Sequence, residues 1–302
     1  MRVKVILNPR SDQGRAIQTK EQIVAAARPF GGVELVTTER SGHATELARQ
    51  ASDEGVDLVV AAGGDGTVHE VVNGLIRGGQ ADTRLGIIPI GSGNDFAFNL
   101  GLPLKNLEAA VARLFQGQER VVDLGRVEDE YGRFRYFDNN FGLGMDAMVV
   151  VRTESITRLY GFTMYLTAVF QTIAFYYMTP HLDIQFDGEK VSQKSLLLAM
   201  GVGPRGGGGF FLTPGAVSDD NLLQSCLVKP ISRPHMIYLL VKSLKGKHIN
   251  SKAVSMRQNR RIIIKADTAV PIHVDGEMFA HPRDNVRQVT VTSVPGALTV
   301  IT

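Results

Sequence analysis

The sequence predicts an α/β amino-terminal domain built on a parallel sheet, followed by a mostly antiparallel β-sandwich carboxy-terminal domain. Three observations predict it. Early apolar runs read as continuous hydrophobic strands separated by helical patterns, as in a parallel sheet covered on both faces. Small-residue clusters stand directly after two of those strands. Past residue 122 the helical patterns give way to closely spaced strand patterns, with a hairpin signal at Asp187-Gly188.

In order, residues 3–7 read as a strand, 14–28 as a helix, 33–37 as a strand and 44–52 as a helix. Residues 57–61 form an apolar strand, 67–76 a helix, 85–90 another strand and 107–115 a helix. Strands then follow at 121–127, 133–141, 181–186, 191–200, 222–228, 261–266, 272–274 and 286–292. The last, 298–302, is read as able to return to the first domain. The division falls at residue 122, giving domains 1–122 and 123–302. The uncharged stretch 159–180 is an insertion into the second.

Hydrophobic residues at 44% and charged residues at 21% exclude a disordered or fibrous chain. The 32 glycines are clustered rather than periodic, which excludes collagen-like repeats. With Cys226 as the single cysteine, an intrachain disulfide and a cysteine-based zinc site are both excluded. A reducing, cytoplasmic setting fits, and the opening apolar run is too short for a signal peptide.

The charge is unevenly placed. Between Asp220 and Asp267 no acidic residue occurs, whereas Lys229, Arg233, Lys242, Lys245, Lys247, Lys252, Arg257, Arg260, Arg261 and Lys265 do. Such a block suits an anionic membrane surface or a nucleic acid, and a solvated face stays open beside them. No aromatic-interleaved recognition motif accompanies it, so nucleic acid ranks below membrane. Residues 159–180 would just span a bilayer, but Gly161, Gln171 and several threonines and tyrosines interrupt the run. The expectation is a buried or interfacial helix; if the substrate is greasy, its aromatic side chains are candidates to line the substrate's path.

Gly63-Gly64-Asp65-Gly66-Thr67 joins a strand to a helix. The glycines let backbone approach an anion, and the helix start offers free amides and a positive dipole end. Asp65 can reach a phosphate-bound cation, and Thr67 can cap the helix or touch a phosphate oxygen. A second small-residue loop, Gly91-Ser92-Gly93-Asn94-Asp95-Phe96-Ala97, follows the next strand. Each loop alone also fits a capped turn, but two at neighbouring strand ends favour a nucleotide-sized crevice. Neither matches a P-loop or a dinucleotide fingerprint. Later, Asp275-Gly276-Glu277 sets two carboxylates at a turn, and Asp219-Asp220 offers oxygen ligands for Mg²⁺ or Ca²⁺. A polar hairpin turn and a solvated loop are the plainer alternatives. Gly206 to Gly209, followed by Phe210 and Phe211, suits either a mobile loop admitting substrate or a connector.

Taken in order, Asn8-Pro9, the GGDGT loop, the GSGNDFA loop, Ser218-Asp219-Asp220-Asn221-Leu222-Leu223 and Asp275-Gly276-Glu277 resemble the diacylglycerol kinase catalytic family. The likeness is to its soluble bacterial lipid kinase branch, related to sphingosine and ceramide kinases. The resemblance covers essentially the whole chain and implies an NAD-kinase/diacylglycerol-kinase-like architecture, with a nucleotide between an ATP-binding domain and a lipid-substrate domain. It implies an ATP-dependent kinase of a lipid hydroxyl, with diacylglycerol as the leading acceptor. By that resemblance Asn8, Thr38, Gly64, Asp65, Gly66, Thr67, Val68, His69, Glu70 and Ser92 contact ATP, and Mg²⁺ accompanies ATP near Asp65. Glu277 is the proton acceptor, with Asp275 beside it. The carbonyls of Val217 and Leu222 and the carboxylate of Asp220 hold a structural Mg²⁺ or Ca²⁺. Three positions depart from the pattern: the glycine after Asn8-Pro9 is delayed to Gly14, His69 replaces an asparagine, and Asn221 replaces a glycine.

The implied partners are a membrane lipid and, reversibly, an anionic leaflet, with no nucleic acid; a homodimer is left open. The implied location is cytoplasmic and peripheral to the membrane. Rival readings are a soluble nucleotide kinase of the NAD kinase type, for which the aromatic segment has no use, and a non-catalytic nucleotide- or lipid-binding regulator, against which Asp65 and Glu277 argue.

Overall fold

In the computed structural model the described residues are 1–79, 82–156, 159 and 161–302; Tyr160 of the uncharged run lies outside them. The chain divides into one unit of residues 1–122 with 296–302 and another of residues 123–295.

In the first unit the elements are β1 (Val3–Leu7), α1 (Lys20–Ala27), β2 (Glu34–Thr37), α2 (His43–Asp53), β3 (Leu58–Gly63), α3 (Asp65–Arg77), β4 (Arg84–Pro89), α4 (Asp95–Asn99) and α5 (Leu107–Gln116). The strands pair in parallel in the order β2-β1-β3-β4, and Val300 pairs in parallel with Leu85. Every residue of β1 and β3 is buried, as strands covered on both faces require. Helix α2 buries Ala44, Ala48 and Ala51, one stripe at helical spacing. It meets α3 at Gly74, where a side chain would strike the Thr45 carbonyl and Ala48.

The helix expected over 14–28 forms differently. Residues 12–19 are 3-10 helix, with left-handed backbone at Asp12, Gln13 and Gly14, and α-helix starts only at Lys20. Three successive positive φ angles after Asn8-Pro9 cannot continue a right-handed helix.

The second unit contains most of β5 (Glu119–Asp129), then β6 (Phe134–Phe137), β7 (Asn140–Gly144), α6 (Met145–Thr153), α7 (Gly161–Phe175), β8 (His181–Gln185), β9 (Lys190–Lys194), β10 (Leu197–Gly201), β11 (Leu223–Val228), α8 (Arg233–Ser243), β12 (Val254–Asn259), β13 (Arg261–Ala266), β14 (Ile272–Val274), β15 (Glu277–Ala280) and much of β16 (Gln288–Ile301). One antiparallel sheet runs β12-β11-β10-β7-β14-β15; facing it are β16-β13-β8-β9 and the β5–β6 pair. Leu182, Ile184, Ile262 and Ile264 pack with Leu143, Leu198 and Ile272 in the core between them. This is a sandwich. Helices α6, α7 and α8 cover the outer face of the first of these sheets through Met145, Val149, Val169, Met236 and Leu239.

Two expected strands are each divided. Residues 133–141 become β6 and β7, and 191–200 become β9 and β10, with the chain changing sheets at each break. At the first break the amides of Asp138 and Asn139 leave the ladder to bond the Asp275 carboxylate. The strands expected at 286–292 and 298–302 are one, β16, with Gly296 at φ +56°. Helices α6 and α8 and strand β12 have no counterpart in the sequence reading. The uncharged run becomes α7, of 15 residues, and no helix among the described residues is long and apolar enough to cross a membrane.

Candidate active site

The first unit presents two loops at neighbouring strand ends. β3 stops at Gly63, Gly64 is the N-cap of α3, and no side chain caps it, so the first-turn amides are offered to an anion. A Cβ on Gly63 would strike Thr67, and one on Gly91 would strike the Gly64 backbone. The two loops therefore touch through bare backbone. Thr67 is buried and its Oγ1 accepts Asn8 Nδ2 at 3.0 Å, which ties the Asn-Pro turn to α3. Thr38 follows β2 and donates its amide to the Leu7 carbonyl at 2.9 Å. Val68 and His69 are buried, whereas Ser92 is exposed.

Asp65 Oδ1 accepts the amides of Asp95 at 2.7 Å and Phe96 at 3.3 Å, so it caps α4. Burial, and then the Asp95 carboxylate, push the Asp65 carboxyl up to about 6. Glu70 holds a different helix start: its two oxygens accept the amides of Gly42 at 2.8 Å and Ala44 at 3.1 Å. Gly42, the N-cap of α2, has no side chain for that task. Sequence reasoning missed this use of Glu70, because its partners come from a separate helix.

In the second unit β14 and β15 are joined by Asp275 at φ 50° and Gly276 at φ 80°. Two successive positive φ angles are the signature of a two-residue type I′ hairpin, for which Asp-Gly is a preferred pair. The Asp275 carboxylate accepts three amides, from Asp138 and Asn139 at 3.0 Å and from Asn140 at 2.8 Å. Glu277 is exposed immediately after the turn. The strand before the turn carries half of a pair the sequence reading missed, His273 and Asp146, with Nε2 and Oδ2 3.1 Å apart. The available signal was a histidine between two core residues of one strand.

The 218–222 loop turns two of its amides onto carboxylates. Asn221 takes the left-handed conformation at φ 65° and donates its amide to Asp123 Oδ2 at 2.6 Å. Asp220 Oδ1 accepts the Leu222 amide at 2.9 Å, and Val217 is exposed one residue upstream of the loop. Carboxylate oxygens such as those of Asp123 and Asp220 are the ligand type that a hard divalent cation takes.

Between α6, α7, α8 and the outer sheet face lies a cavity of about 110 Å³. Met145, Val149, Val169, Cys226 and Leu239 form much of its wall, and Asp146 is the carboxylate among its described lining residues. Burial, and then Asp146, push the Cys226 thiol up to about 12.

Residues 2–127 match the diacylglycerol kinase catalytic domain, and residues 140–302 match the YegS C-terminal NAD kinase beta sandwich-like domain. A diacylglycerol kinase of Bacillus subtilis is 31% identical over 290 residues, covering 91% of this chain and 89% of that protein. A protein of Chromohalobacter salexigens described as a probable lipid kinase YegS-like is 33% identical over 298 residues, covering 97% and 91%. A solved diacylglycerol kinase structure from Bacillus anthracis superposes with a TM-score of 0.74 over 99% of this chain and 96% of that one; at 23% identity it speaks for the fold alone. Both halves of the chain and its full-length relatives thus agree, and the chain belongs to the diacylglycerol kinase catalytic family of ATP-dependent lipid kinases, in its bacterial YegS-like branch.

Proposed function

We propose that the chain transfers the γ-phosphoryl group of magnesium-bound ATP to the free hydroxyl of diacylglycerol, forming phosphatidic acid. The observation that carries the choice of a greasy acceptor is the cavity of about 110 Å³ under α6, α7 and α8, whose wall is predominantly apolar. The uncharged run supplies part of that wall through Tyr165, Val169 and Ile173.

The phosphates rest against the amides at the start of α3 and the Gly64–Gly91 backbone contact. The acceptor oxygen bonds to the γ-phosphorus as the bond from that phosphorus to the β,γ-bridging oxygen breaks. ADP leaves, and the hydroxyl proton passes to the Glu277 carboxylate. Such transfers depend on positioning and charge neutralisation, and the divalent cation carried with ATP supplies much of the latter. Asn8, Thr38, Ser92 and the segment from Gly64 to Thr67 are the proposed nucleotide contacts. Val217, Asp220 and Leu222 are the proposed ligands of a structural Mg²⁺, supported by the Asp123 and Asp220 carboxylates that Asn221 and Leu222 touch.

We also propose a peripheral approach to the bilayer from the cytoplasmic side, and exposed side chains of the same unit support the contact with a membrane surface. Phe175, Tyr238 and Val241 are 77%, 55% and 60% exposed, and Arg233, Lys245, Lys247 and Lys252 are exposed on α8 and just after it. Each basic residue held near an anionic leaflet contributes about 1 kcal/mol. Sedimentation with vesicles should therefore rise with anionic lipid and fall with salt; indifference to both would leave a solvated surface.

Radiolabelled ATP offered with diacylglycerol, ceramide, a sphingoid base, phosphatidylglycerol and NAD tests the activity. Diacylglycerol should be labelled best. Glu277→Gln should lower turnover by about 100-fold or more while ATP binding persists. Preferential labelling of a sphingoid base or NAD would overturn the acceptor, and full activity of Glu277→Gln would overturn the role of that residue.

A further inference from the structure

Gly142 on β7 lies opposite His273 on β14. Their neighbours Phe141, Leu143, Ile272 and Val274 all enter the sandwich core. By the alternation of strands, Gly142 and His273 face the other way, toward the helical layer. There His273 Nε2 meets Oδ2 of Asp146, a first-turn residue of α6, at 3.1 Å. Its other nitrogen, Nδ1, accepts the Gly276 amide at 3.3 Å. An amide donating to Nδ1 fixes the tautomer, leaving the ring proton on Nε2 to be donated to Asp146.

Gly142 explains itself by this pair. Its φ is not in the left-handed region, yet a Cβ there would collide with both Asp146 Oδ2 and His273 Nε2. The missing side chain is the space in which the two meet. The turn before Glu277 is thereby held from two sides, at Asp275 by three amides and at Gly276 by an imidazole. Asp146 also stands in the wall of the apolar cavity, where a carboxylate is costly to bury without a partner.

We infer that His273 and Asp146 are positioning residues, which fix the Gly276 amide and so the aim of the Glu277 carboxylate, and which tie that aim to the wall of the acyl-chain cavity. The inference rests on the proposed lipid phosphorylation. An acyl chain seated against α6 bears on Asp146, and through His273 on the turn that carries the proton acceptor.

The test is steady-state kinetics of the full chain on dibutanoylglycerol and dioctanoylglycerol in mixed micelles, with thermal midpoints for each variant. His273→Phe should lower kcat about 30- to 100-fold, with KM for ATP within about twofold of wild type. His273→Gln, able to accept from Gly276 and donate to Asp146, should recover much of the loss. The double variant Asp146→Leu/His273→Phe leaves no orphan carboxylate, so it should regain the midpoint that His273→Phe loses without regaining kcat. The advantage of the longer acceptor should shrink in both phenylalanine variants. If His273→Phe does not fold, the double variant and His273→Gln carry the same comparison. Near-wild-type kcat in the phenylalanine variants, or kcat that recovers together with the midpoint, would make the pair merely structural and end the inference. A wild type that phosphorylates neither acceptor would end the proposed function, and this inference with it.

Discussion

The carboxylate of Asp65 accepts the backbone amide of Asp95 at 2.7 Å, so a residue of the first glycine loop forms the cap of the helix that follows the second. This bond fastens the two loops together at their bases. It also brings the Asp95 carboxylate close enough to oppose the ionisation of Asp65.

A pH dependence follows. The Asp65 carboxyl rises from its ordinary 3.8 to about 6, through burial first and the Asp95 carboxylate second. The fold then binds this proton more tightly than the unfolded chain does. Its contribution to stability is fully present below about 3.8 and is lost as pH rises through about 6. Asp95→Asn removes the neighbouring charge, so Asp65 should ionise at lower pH. The thermal midpoint of wild type should fall more between pH 4 and pH 7 than that of the variant; equal falls would place the coupling elsewhere.

Gly91→Ala should separate the loops. Its φ is ordinary, so the obstacle is space alone: the new Cβ would meet the Gly64 backbone and Asn94 Oδ1. Overpacking of this kind costs about 1 to 3 kcal/mol. Weaker ATP binding by calorimetry, together with a lowered midpoint, is the expected result. Unchanged ATP affinity would mean that the Gly64–Gly91 contact does not shape the phosphate site.

Both glycine loops are legible in the sequence because each is a single local stretch, a strand, a small-residue turn and a helix start. The Asp187-Gly188 hairpin is legible for the same reason, and β8 and β9 flank it in register. Asp146 and His273, 127 positions apart, share no spacing rule, and only the pairing of β7 with β14 brings them together. The break between β6 and β7 is equally hidden, because the Asp138 and Asn139 amides turn toward a carboxylate far along the chain. Helix α8 is masked by its composition: Ile237, Tyr238 and Val241 are exposed, so its apolar pattern lacks one clean face, although Pro234 near its start is a local signal.

Glu70 separates stability from nucleotide contact. Both its carboxylate oxygens serve the start of α2. Glu70→Ala should therefore destabilise the first unit by about 1 to 2 kcal/mol, and Glu70→Gln by less, since one oxygen remains. Chemical denaturation measures this directly. ATP affinity that collapses in Glu70→Gln while the midpoint holds would instead make Glu70 a nucleotide contact.

Cys226 is the single thiol of the chain and lies in the wall of the apolar cavity, which makes it a reporter of acyl-chain occupancy. Burial and the Asp146 carboxylate push it up to about 12, so almost no thiolate exists at neutral pH and native labelling should be slow. A small apolar reagent such as methyl methanethiosulfonate should react far faster in denaturant than in buffer. Dioctanoylglycerol should slow the native reaction further, because the chain would fill the space through which the reagent arrives. Glycerol, which has the hydroxyls but no acyl chain, should give no protection. Equal rates with and without dioctanoylglycerol would show that the cavity does not receive the lipid, and the acceptor would then have to be sought at another surface of the second unit.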